Sequence, residues 1–361
     1  MKINGNMLDA DGHLIERDAE LYEFLEPPYK GNPAMLGFPF FPTLDGYQRG
    51  AIISRLGIHK EYTVTAKDWV DFLDGVGLES TVIYPTAGLG FGMIQDPTWA
   101  VPLARAYNNW FTEKFHKHSK RLRAVAIVPL QDVPEAVKEL RRAVTELGMV
   151  GAVLTTNNGE MGIRRPLGHS DFWPLYEEAE RLDVPIALHG APSINLGINF
   201  FNRFALTHSL EHPIAQIIQL TSMVMEGVFE RFQKLRVAYL EAGIGWVPYI
   251  MDRLDRSYEV WATKGVKEYS DWLKKKPSEY IRSDRVFFSC EGGELTLPYA
   301  ISRVGHQGLM YASDFPHETN LPRAKAEISE LLEHHELSDE AKQGMLRDNC
   351  IRFYGPRAKL G

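Results

Sequence analysis

Five short apolar runs in this chain end in groups that bind protons or cations. LDADGH sets Asp9, Asp11 and His13 at every second position. PIALHG ends at His189, VAYLEAG at Glu241, VFFSCEGG at Glu291 and LMYASDFPH at Asp314, with His317 three residues further on. On an extended strand, residues i, i+2 and i+4 share a face, so a strand over residues 7–13 predicts Asp9, Asp11 and His13 on one side. Carboxylates gathered this closely repel one another and favour their neutral forms, and a bound divalent cation removes the penalty. Mixed imidazole and carboxylate donors suit zinc, iron or manganese better than calcium or magnesium, as one ion or two.

Taken singly, each group has a plainer role. His189 can be a hydrogen-bonded strand end, Glu241 and Glu291 can cap the helices that follow, Asp314 can be a turn residue, and Asp9 can bond to backbone amides. The common placement at strand ends is what argues for one site. There an ion would polarise water, a carbonyl or a carboxylate, with Asp314 accepting a proton beside it. Glu241 or Glu291 would carry the proton onward, and His317 would orient Asp314 or donate. His208 and His212, in ALTHSLEHP, are expected to cap the long helix that follows or to face solvent.

Such groups need a framework that gathers strand ends. Short apolar, β-branched runs near residues 7, 81, 123, 150, 185, 236, 286 and 309 alternate with helical segments. Two helices carry clear start signals, Asp96 before Pro97 and Asp132 before VPEAV. Apolar strands separated by helices imply a parallel sheet buried on both faces, and eight such units close a (β/α)8 TIM barrel, whose active site lies at the carboxyl ends of the strands. No glycine-rich phosphate loop follows an early strand, which disfavours a doubly wound sheet. The expected architecture is one α/β domain over residues 1–361, with C-terminal helices and a long irregular insertion after strand one, at about 27–65. Phe38, Phe40, Phe41 and Tyr47 in that insertion suit either a lid over an apolar substrate or packing onto the barrel.

The 361 residues are 44% hydrophobic and 24% charged with net charge -7, and no long basic run offers a nucleic-acid surface. No apolar run approaches membrane-spanning length and the N-terminus lacks a signal-like pattern. Only two cysteines, Cys290 and Cys350, are present, too few for a disulfide framework. These features lead us to expect a cytoplasmic protein acting on a small organic molecule.

The motifs DADGH, PIALHG, GVFERFQKLRVAYLEAGIGWVPY and LMYASDFPH together resemble the amidohydrolase superfamily, in the branch of aminocarboxymuconate-semialdehyde decarboxylase and related aromatic-acid decarboxylases. The resemblance implies a metal held by Asp11, His13, His189 and Asp314, and a possible homodimer. Decarboxylases of the branch usually carry a histidine acid/base at the end of barrel strand six, where this chain has Glu241. Barrel strand four also lacks the lysine or glutamate that bridges two metals in many relatives, though Glu241 and Glu291 offer ligands for a second ion. On that departure the expectation is metal-dependent hydrolysis of a small ester, thioester, lactone or amide. Non-oxidative decarboxylation of an aromatic or unsaturated carboxylic acid is the alternative, and a non-catalytic binding protein the third reading.

Overall fold

The computed structural model describes residues 3–32, 39–42, 63–156, 162–191, 193, 196–198, 201, 203–263, 272–317 and 319–356. Phe38, Tyr47 and most of the expected insertion lie outside the described residues.

Strand β1 (Met7–His13) pairs in parallel with β2 (Leu78–Tyr84), and β2 with β3 (Leu122–Ala124). A second parallel run follows in sequence order, from β4 (Ala126–Ile127) through β5 (Ala152–Thr155), β6 (Ile186–His189), β7 (Val237–Leu240) and β8 (Val286–Cys290) to β9 (Leu309–Tyr311). Only Val125 separates β3 from β4, so the two act as one stave and the segments make the eight expected staves. The last stave meets the first through backbone bonds just past the strand ends: Asp314 N–H to the Asp11 carbonyl (3.1 Å) and His13 N–H to the Phe315 carbonyl (2.7 Å).

The sequence explains why these elements form. Every residue of β6, β7 and β8 is buried, as expected of parallel strands covered on both faces. The helix Ala66–Val76 starts on a capping box between Thr65 and Asp68 and stops at Gly77, at φ 91°. Asp96 accepts from the Thr98 amide and Asp132 from the Glu135 amide, as their sequence contexts predicted. Phe72 of Ala66–Val76 stacks on Phe315 at 4.0 Å, and Trp69 Nε1 donates to the His13 carbonyl at 2.9 Å. That helix therefore braces the end of β1 from outside the barrel.

Strict alternation along β1 fails. Asp9 pairs with Thr81 but Gly12 with Ile83, so one extra residue sits in β1 and bulges it. Asp9 consequently leaves the set with Asp11 and His13. It accepts from Thr81 Oγ1 (2.7 Å), Ser313 N (2.8 Å) and Ser313 Oγ (2.9 Å), tying β1 to β2 and to the turn after β9. Burial pushes its carboxyl up to about 7 against the pull of those bonds. The bulge needs glycine at its corner, since a Cβ on Gly12 would lie 2.3 Å from the Trp69 ring.

Two insertion aromatics are described, and both pack inward. Phe40 meets Tyr22 edge-on at 5.4 Å, and Phe41 meets Phe91 and Tyr107 at 6.3 and 6.0 Å. For these two residues packing, not a lid, is the outcome. Among the described residues no helix is long and apolar enough to cross a membrane.

Candidate metal centre

β1 delivers Asp11 and His13, β6 delivers His189, and the turn after β9 delivers Asp314. Their donor atoms converge. His13 Nε2 lies 3.2 Å from His189 Nε2, 3.6 Å from Asp11 Oδ1 and 3.5 Å from Asp314 Oδ1, and His189 Nε2 lies 3.5 Å from Asp11 Oδ2. Both rings are anchored at the other nitrogen, His13 Nδ1 on the Pro85 carbonyl (2.9 Å) and His189 Nδ1 on the Gly190 carbonyl (2.7 Å). An Nδ1–H committed to a carbonyl leaves Nε2 as a lone pair. Two such lone pairs face each other here, beside two carboxylates, and Asp11 Oδ1 is buried with no hydrogen-bond partner. A cation among these atoms satisfies all of them, so the residues fit a divalent transition metal.

The electrostatics follow from burial and proximity. Burial raises the Asp11 carboxyl, opposed chiefly by His189. Burial, with His317 and His189 beside it, holds His13 well below the ordinary imidazole range. Burial also lowers His189, but the charge and hydrogen bond of Asp11, with Glu241 behind them, outweigh it and push His189 up to about 9, so that without a cation a proton takes the Nε2 lone pair that a metal would use.

Asp314 and Glu241 both hold left-handed backbone, at φ 51° and 53°, a conformation that non-glycine residues adopt mainly where the surroundings impose it. Asp314 Oδ1 is bound by His317 Nδ1 at 3.0 Å, and His317 Nε2 lies 2.7 Å from Thr86 Oγ1. Glu241 follows β7, with its amide donating to Ser289 Oγ at 2.8 Å. Its Oε2 is buried without a hydrogen-bond partner, 3.5 Å from His189 Nδ1 and 3.9 Å from His212 Nδ1. Burial, then the charge of Asp314, pushes the Glu241 carboxyl up to about 8.

Not every expected residue joins the cluster. Glu291 is exposed, its amide donates to Glu294 Oε1 at 3.0 Å, and it belongs to none of the metal-compatible groups among the described residues. His212, by contrast, is buried and faces the mouth instead of capping its helix. It comes from the helix Phe204–Met225 and rests on Gly190, where a Cβ would lie 2.7 Å from the ring. His208, one turn earlier and half-buried, stands edge-on to it at 5.3 Å. The sequence signal for this pair was its i, i+4 spacing on the helix that follows the His189 strand. A cavity of about 230 Å³ opens over the cluster, lined among others by Asp11, His208, His212, Glu241, Glu291 and Asp314.

Known proteins resemble this chain. The amidohydrolase family model matches residues 80–355. The gamma-resorcylate decarboxylase of Polaromonas sp. (strain JS666) is 27% identical over 256 residues, covering 69% of this chain and 76% of its own. The 2-amino-3-carboxymuconate-6-semialdehyde decarboxylase of Dictyostelium discoideum is 25% identical over 275 residues, covering 76% and 72%. A dihydroxybenzoic acid decarboxylase from Polaromonas sp. JS666, solved with bound manganese and the inhibitor 2-nitroresorcinol, superposes with TM-score 0.71 at 21% identity over 97% of each chain. The chain belongs to the amidohydrolase family, in the branch that holds these decarboxylases, and is an enzyme of the metal-dependent hydrolase or decarboxylase kind.

Proposed function

We propose that this enzyme is a metal-dependent, non-oxidative decarboxylase of a small aromatic or unsaturated carboxylic acid. The observation that carries the reading is the convergence of His13 Nε2, His189 Nε2 and the Asp11 and Asp314 carboxylates within 3.6 Å of one another along the chain of contacts. A divalent transition metal held by these four residues would anchor the substrate's carboxylate and a neighbouring oxygen as a Lewis acid. Manganese, zinc and iron all suit the donors, and manganese is the ion bound in the solved Polaromonas relative.

The protein's own groups would do the rest. By the resemblance, Glu241 occupies the position where the branch decarboxylases carry a histidine; it is partly buried, its carboxyl raised in part by the charge of Asp314, and it lines the cavity. As the carbon–carbon bond breaks, carbon dioxide leaves and the electron pair stays on the ring or vinyl carbon, which takes the proton from Glu241. His317 holds Asp314 in place. The cavity of about 230 Å³ suits a single-ring substrate, given that about 150 Å³ suffices for benzene.

Hydrolysis was the first expectation because a glutamate replaces the histidine. The Polaromonas and Dictyostelium relatives are named as decarboxylases, and a glutamate whose carboxyl is pushed up to about 8 holds a proton to donate near neutral pH. The test is direct. Manganese-loaded protein incubated with mono- and dihydroxybenzoates should release carbon dioxide, and Asp314→Asn should lose that activity while keeping its circular dichroism. No carbon dioxide from any of them, with cleavage of esters or lactones instead, would restore the hydrolase reading.

A further inference from the structure

We infer that the mouth of the barrel holds a second divalent-cation site, formed by His208, His212 and Glu241 and separate from the Asp11–His13–His189–Asp314 set. Each of the three offers one ligand atom, and these lie within 4.8 Å of one another. The pair of histidines is spaced i, i+4, so both rings leave the same face of the helix Phe204–Met225. Such a pair with one carboxylate is the donor set of many three-ligand zinc sites, in which a fourth position stays open to water or substrate. All three residues line the cavity, so substrate or water could reach an ion held there.

Three further features favour an ion. Glu241 Oε2 is buried with no hydrogen-bond partner, an acceptor that a cation would satisfy. Glu241 holds a left-handed backbone just past β7, and its Oε2 lies 3.9 Å from His212 Nδ1. Gly190, lacking a side chain, gives His212 room to lie at the strand end. Zinc ligands at about 2.0–2.1 Å sit about 3.4 Å apart in a tetrahedron, so the three donor atoms, now within 4.8 Å of one another, must draw together on binding.

Occupation would engage the carboxylate that the proposed decarboxylation uses as its proton donor. On that reading, zinc beyond the first equivalent inhibits. The site itself does not rest on that reading, because it is tested by stoichiometry alone.

The experiment is equilibrium dialysis of chelator-stripped protein against zinc chloride, followed by elemental analysis. Wild type should hold two zinc ions per chain, and His208→Ala and His212→Asn one each. His13→Asn should also hold one, lost when His208→Ala is added. A wild-type count of one that falls to zero in His13→Asn overturns the second site and leaves the first standing. A count of two that survives both histidine variants overturns it as well. A single ion kept by His13→Asn and lost by His208→Ala supports the second site and removes the first.

Discussion

His317 lies flat against His13, with ring centroids 4.0 Å apart and planes 26° from parallel, while its Nδ1 meets Asp314 Oδ1 at 3.0 Å. Its Nε2 is fixed by Thr86 Oγ1 at 2.7 Å. One ring thus supports two of the four converging groups, through stacking on one and a hydrogen bond to the other. Outer partners of this kind typically contribute 10–100-fold to metal affinity. His317→Ala should weaken manganese binding by about that factor while thermal stability changes little. Calorimetric titration measures it, and unaltered affinity would leave His317 without a positioning role.

Glu241→Gln keeps shape and removes the transferable proton. General acids usually contribute about 10²–10⁴-fold, so kcat for carbon dioxide release should fall within that range while KM moves little. An unchanged kcat would assign proton delivery to another group at the mouth, with His212 the next to test.

Far from the mouth, Glu178 ties two helices. It is buried and forked by Arg141 (2.8 and 3.1 Å) and Arg181 (2.8 and 2.6 Å), joining Val133–Thr145 to Trp173–Leu182. Hydrogen bonds from Arg181, only partly opposed by burial, hold its carboxyl down at about 2. A folded value below the unfolded one contributes stability above the unfolded value, lost as pH falls from about 4.5 toward about 2. Glu178→Ala should cost about 1–2 kcal/mol at pH 7, the arginines being half-exposed and screened. The difference should shrink through that acid window and in high salt, as followed by urea denaturation.

Gly190→Ala would place a Cβ 2.7 Å from the His212 ring. Relieving that overlap should cost about 1–3 kcal/mol and turn His212 away from Glu241. Thermal denaturation reads the first effect, and the loss of one zinc per chain reads the second.

Asp11, His13, His189 and Asp314 were legible among the candidates because parallel strands announce their carboxyl ends, where apolar runs stop and helices begin, and the family resemblance singled the four out from Glu241 and Glu291. The barrel was legible for the same reason. Three things were not. The bulge in β1 breaks the period of two and gives Asp9 a tie to Thr81 and Ser313, and no composition signal marks an extra residue within a seven-residue strand. His212 reads as a cap or a solvent-facing residue, yet it lies within the helix Phe204–Met225, and the bare backbone of Gly190, in a different element, gives its ring room at the mouth. Glu291 ends its strand as Glu241 does, yet the turn that follows binds its amide to Glu294 and leaves it exposed. Strand ends can be read locally, whereas the aim of a side chain across the mouth depends on partners distant in sequence.

Asp314 and Glu241 occupy a backbone conformation, at φ 51° and 53°, that glycine enters freely. The positions assigned the reaction are therefore ones where a sturdier polypeptide would have nothing to offer a substrate. A thermostability screen run without selecting for turnover should drift toward glycine at both and return a better-behaved, inert barrel.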